Sequence, residues 1–156
     1  MSRSQQRPAA RFHQTVPSGL EDVEKVCVGI RRFMLRSGVA DLCFAIELLA
    51  RECLNNAVVH ANNSKADKSV DVTVSIAERW VRLEVQDEGS GFAWQKAYKK
   101  ELDTIECSGR GLQICALYAD RVRFNRRGNR IVLWVKKRKE MERKFEHGRI
   151  CIETRR

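Results

Sequence analysis

Leu20, Val23, Val26, Cys27, Ile30, Phe33 and Met34 recur at intervals of three and four residues. That spacing lays one apolar stripe along an α-helix. Ser18 with Glu21 three residues later reads as a capping box at its start, and Gly38 suits its stop. A second helix is expected from about Asp41 to Ala61. Leu42, Phe44, Ile46, Leu48, Leu49, Leu54 and Val58 spread around much of its circumference, so it should be the most buried helix. The period then changes from helical to alternating. Val70, Val72, Val74 and Ile76 alternate with Asp71, Thr73 and Ser75, and Val81, Leu83 and Val85 with Arg82, Glu84 and Gln86. Both read as strands with one wet face, joined by a turn near Glu78-Arg79. Arg11 to Val16 suits a short first strand. Gly109-Arg110-Gly111 opens a helix running to about Asp120. Val122 to Asn125 and Ile131 to Val135 read as a last pair of strands turned at Arg127-Gly128-Asn129. The order predicts an α+β chain, with helices on one face of a largely antiparallel sheet.

The chain has 156 residues, enough for one domain with its own core. Hydrophobic residues make up 43% and charged residues 32%, which argues against wholesale disorder. No apolar run approaches the ~20 residues that span a bilayer, and the first residues lack the apolar core of a secretory signal. The six cysteines contain no C-x-x-C. Buried reduced thiols in a cytoplasmic protein are the expectation.

Charge changes the picture at one end only. Residues 1–120 carry 16 basic and 16 acidic side chains, whereas residues 121–156 carry 14 and 4, so the whole +10 excess lies in the last strands and the C-terminal segment after them. The division expected is a flexible start at 1–10, a folded domain at 11–136 and a basic tail at 137–156. Such a tail fits an acidic partner or nucleic acid, and equally a solvated basic helix. A nucleic-acid module adds exposed aromatics beside its basic stripe, and the tail offers only Phe145.

Three short constellations carry candidate chemistry. Glu52 and Asn56 stand one helical turn apart, with His60 a turn further. A carboxylate can act as a base, and an amide oxygen can ligate a hard cation; a polar network in the core would use the same residues. Asp87-x-Gly89-x-Gly91-Phe92 follows a strand. Its acid can accept from an exocyclic amine while the glycines let backbone approach a planar ring, though Asp and Gly also make plain turns. Gly109-Arg110-Gly111-Leu112 opens a helix, where bare N–H groups suit phosphate. Each is weak alone. In this order they describe a purine nucleotide site.

Glu52-Cys-Leu-Asn-Asn56-Ala57-Val-Val-His60, Asp87-Glu-Gly89-Ser-Gly91-Phe92 and Gly109-Arg-Gly111-Leu112 resemble the N, G1 and G2 boxes of the histidine-kinase-like (GHKL) ATPases. Over residues 10–136 the chain is most similar to the anti-sigma factor serine-protein kinases of the RsbW type. The resemblance implies a Bergerat fold, a two-layer α/β sandwich. It implies ATP and Mg²⁺ as cofactors, with Asn56 ligating the metal and Glu52 as general base on a serine hydroxyl. It implies that Asp87 accepts from the adenine amine, that Gly89 and Gly91 shape the adenine pocket, and that Gly109, Arg110, Gly111 and Leu112 face the phosphates. The partners implied are a sigma factor, an anti-sigma factor antagonist and a second copy of the chain. A non-catalytic ATP-binding switch module and a nucleic-acid-binding protein led by the tail are the alternatives. Sensor histidine kinases place a helical hairpin ahead of this domain, and with few residues before Glu52 that class is not the expectation. The expected lid, Ala93 to Ser108, carries no glycine but holds Trp94, Lys96, Tyr98, Lys99 and Lys100. Those lysines either reach phosphate or form the wet face of a lid helix.

Overall fold

The computed structural model describes residues 9–17, 19–61, 67–91, 110–137 and 151–152. Ser18, Phe92, the lid from Ala93 to Ser108, Gly109 and most of the tail fall outside them, as do the side chains of His60, Arg110 and Leu112. The elements run β1 (Ala10–Pro17), α1 (Leu20–Arg36), a 3-10 turn (Ala40–Leu42), α2 (Cys43–Asn55), a π-helical turn (Asn56–Ala61), β2 (Ser69–Ile76), β3 (Trp80–Asp87), α3 (Arg110–Tyr118), β4 (Arg121–Phe124), β5 (Arg130–Lys136) and β6 (Cys151–Ile152).

The alternating segments form one sheet in the order β1-β2-β3-β5-β4-β6. Every pairing is antiparallel except β4 with β6. Val72 sits opposite Val85, Leu83 opposite Leu133, and Val122 opposite Leu133 from the other side. This register puts one apolar set on one face, where it meets Val26, Ile30, Met34, Ile46, Leu49 and Leu54 of the helices. A slip of one residue would turn that set to water, so the buried face fixes the register. The fold is α+β with the helices on one face, as the pattern predicts.

Helix α1 starts one residue later than the capping box requires. Its N-cap is Gly19, with no side-chain cap hydrogen bond. Its other end behaves as expected. Gly38 takes φ +71°, its N–H donates to the Leu35 carbonyl, and the Val39 N–H donates to the Met34 carbonyl. That is a Schellman stop, sealed by burial of both Met34 and Val39. Arg31 donates to Glu47 through both Nε and Nη2, at 2.7 and 2.5 Å, and Arg51 pairs with Glu24 and Glu47. These pairs join α1 to α2 along the solvent side. The Arg31 guanidinium holds the Glu47 carboxyl below the usual carboxylate range.

The second helix differs from its expected form. Its α-helical part spans only Cys43–Asn55, and the chain then widens into the π-helical turn. A π turn bonds i to i+5, so the one-turn spacing expected between Asn56 and His60 does not carry through it. β6 lies within the stretch read as tail and extends the sheet beyond β4. Cys27, Cys43, Cys53 and Cys115 are free thiols, and all but Cys43 are buried. Burial pushes the Cys27 thiol up to about 11, and the Cys115 thiol together with burial raises that of Cys53. Both stay protonated and unreactive at neutral pH. No helix among the described residues is long and apolar enough to cross a membrane.

Candidate nucleotide-binding site

The end of α2 and the start of α3 meet side on. A Cβ built on Gly111 would lie 2.8 Å from Asn56 Nδ2 and 3.5 Å from Glu52 Oε2. Glu52 and Asn56 share one face, as their spacing predicts, and both converge on the first turn of α3. Glu52 is half-buried and Asn56 is exposed. The amide sits where the α-helix gives way to the π turn. The widened ladder, a frequent feature of functional sites, packs this segment against β3.

The far end of β3 carries Asp87. Its backbone N–H donates to the Asn129 carbonyl at 3.0 Å, and Asn129 Nδ2 donates back to the Asp87 carbonyl at 2.9 Å. Oδ1 of Asp87 accepts from the Gly89 N–H at 2.7 Å. The carboxyl is thereby held in one orientation, and among the described residues Oδ2 is left for an incoming donor. Burial pushes the Asp87 carboxyl above its ordinary value, against the Gly89 N–H, which favours the anion. An exocyclic amine donating to this acid would supply what burial removes.

Gly91 follows with φ +83°, and a Cβ there would fall on the carbonyl oxygen of Arg127. Only glycine meets both conditions. The turn it touches is internally tied. Asn125 Oδ1 accepts from the N–H groups of Gly128, Asn129 and Arg130, and Asn125 Nδ2 donates to Asn129 Oδ1 at 2.8 Å. Asn129 is one of two buried polar residues among those described.

The structure thus joins the expected residues in two groups. Glu52, Asn56 and Gly111 form one. Asp87, Gly89 and Gly91 form the other, clamped by the turn between β4 and β5. Arg110 opens α3 and Leu112 follows Gly111 in its first turn. Asn125 and Asn129 were not foreseen as site residues, although Asn and Gly in one turn were visible. Glu88 accepts from Ser69 N and Oγ and so ties the start of β2 to the end of β3. Among the described residues no three His, Cys, Asp or Glu gather as a metal cage.

An oriented, half-buried acid at a strand end, and a glycine helix start laid against an amide and a carboxylate, make this an α+β nucleotide-binding domain. Residues 16–137 match the model of the histidine kinase-like ATPase domain, and the chain belongs to that family. A search of curated proteins returned no match.

Proposed function

We propose that this chain is an ATP-dependent anti-sigma regulatory factor that phosphorylates a serine of an anti-sigma factor antagonist. The observation that carries the kinase reading is the convergence of Glu52 and Asn56 on Gly111 at the start of α3. The supporting resemblance is the order and spacing of the three boxes.

ATP enters with its adenine amine against Asp87 and its phosphates toward the first turn of α3. Asn56 suits Mg²⁺: it offers one hard oxygen, and Mg²⁺ usually takes only one or two protein ligands beside phosphates and water. When bound, the ion neutralises phosphate charge. Catalysis by the chain itself is positioning and charge stabilisation. Glu52 accepts the proton of the attacking serine hydroxyl. The serine oxygen bonds to the γ-phosphorus as the bond to the β-γ bridging oxygen breaks, and ADP leaves with that electron pair. Free of phosphorylatable antagonist, the same protein holds a sigma factor away from RNA polymerase, acting as a homodimer.

The test is transfer of labelled γ-phosphate to candidate antagonists by wild type and Glu52→Ala, with ATP titrated calorimetrically with and without Mg²⁺. The variant should lose transfer by the ~10²–10⁴-fold typical of a missing general base while keeping ATP binding. Transfer at the wild-type rate would remove Glu52 from that role. ATP binding by wild type with no transfer to any antagonist would leave a non-catalytic switch module.

A further inference from the structure

The sheet face turned away from the helices carries a pattern that no single segment of the sequence displays. Register brings onto it Arg11 of β1, Trp80, Arg82 and Glu84 of β3, Arg130, Trp134 and Lys136 of β5, and Arg121 and Arg123 of β4. Trp80 faces Lys136, Arg82 faces Trp134, and Trp134 in turn faces Arg121. The Arg82 guanidinium lies 5.8 Å from the Trp134 ring centre, and that of Arg121 lies 5.0 Å from the ring centre of Trp80. Two indoles and two guanidiniums thus interleave across three strands. Among the described residues, six cations share this face with two carboxylates, Asp71 and Glu84. Glu84 is already engaged by Arg82 and Arg130.

The geometry points to this face as a binding surface for single-stranded nucleic acid. A guanidinium laid over an indole offers a stacking plane for a base, and the neighbouring arginines suit phosphates at backbone spacing. Charge complementarity favours a polyanion. A second copy of the chain docked face to face would oppose cation to cation. Lys136 ends β5 on this face, and Lys137, Arg138 and Lys139 follow it in the sequence. This surface is on the opposite side of the sheet from the nucleotide site and does not rest on the kinase reading.

The test is fluorescence anisotropy of labelled oligo-dT of about 20 nucleotides, with a duplex and polyglutamate as competitors, using the full chain. Wild type should bind the single strand in preference to both, with affinity falling steeply in salt. Arg121→Ala with Arg123→Ala should reduce the slope of log affinity against log salt by about 1.4, at ~0.7 per phosphate contact on a single strand. Trp80→Ala should weaken binding about 5- to 100-fold at fixed salt. ATP titration and circular dichroism confirm that each variant is folded. Polyglutamate binding as tightly as oligo-dT would overturn the proposal in favour of an acidic protein partner. So would wild-type affinity in the face variants alongside loss in a full-length Lys139→Ala, Arg143→Ala, Lys144→Ala variant, which would assign binding to the tail alone.

Discussion

Asp87 is held against its own preference for water. Burial raises its carboxyl above the ordinary value, so the folded chain binds a proton there more readily than the unfolded chain does. The penalty is absent at pH values below the ordinary carboxylate range, where both states are protonated. It builds as pH rises toward the raised folded value and is constant above it. Asp87→Asn keeps an oxygen for the Gly89 N–H and removes the charge. It should therefore match wild type in acid and exceed it in thermal stability at neutral pH. Its amide would face the adenine amine donor to donor, and ATP affinity should fall roughly 10- to 100-fold, the worth of a charged hydrogen bond. Thermal melts across pH, paired with calorimetry, check both halves. Gly111→Ala should separate the same two properties differently. The atom it displaces is the end of the exposed Asn56 side chain, and alanine favours a helix by up to ~1 kcal/mol over glycine. Stability should hold or rise while Mg-dependent ATP affinity drops, and a wild-type affinity would mean that Asn56 can move aside freely.

At the scale of elements, the turn between β4 and β5 works as a clamp on the end of β3. Asn129 pairs with Asp87 through both backbone and side chain, and Asn125 braces Asn129. Asn129→Ala leaves the Asp87 carbonyl and the Asn125 amide without this partner, so a loss of about 1–3 kcal/mol is expected by denaturant titration. ATP affinity should fall with it, although residue 129 carries no charge. Gly91→Ala meets the same turn differently, since the obstacle is the Arg127 backbone and the φ is left-handed. It should destabilise the fold itself, in contrast to Gly111→Ala. The pair distinguishes a glycine needed by the backbone from one needed by a neighbouring side chain. The π turn after Asn55 is the other element-scale decision, because it sets where the chain leaves α2 and packs on β3.

For the whole molecule, the two groups of site residues hang on elements joined by one core. Ligand binding therefore reports on global stability. ATP with Mg²⁺ at about 100 times its dissociation constant should add ~2.7 kcal/mol and raise the melting midpoint by several degrees. Asp87→Asn at the same ATP concentration should show a much smaller rise. An equal rise in both proteins would place the nucleotide away from Asp87. The helices cover one sheet face, and the other carries its paired tryptophans and arginines, half-buried except for the exposed Arg121. One sheet thereby separates a nucleotide site from a cationic surface.

The sequence by itself determined the helical and alternating periods, the order of the elements from β1 to β5, and the pairing of Glu52 with Asn56 on one helix face. Those come from local rules: period 2 against period 3.6, glycine at left-handed turns, and residues four apart sharing a face. Glu52 and Asn56 were legible together because one helix carries both. Their contact with Gly111 was not legible, since the two segments are separated by more than fifty residues. The clamp from Asn125 and Asn129 onto Asp87, the π turn that ends the regular helix at Asn56, and the pairing of β6 were decided by tertiary structure alone. So was the Trp80, Arg82, Arg121 and Trp134 array. Each depends on which strand lies beside which, and strand order is set by burying a shared apolar face across distant segments, information that no local window holds.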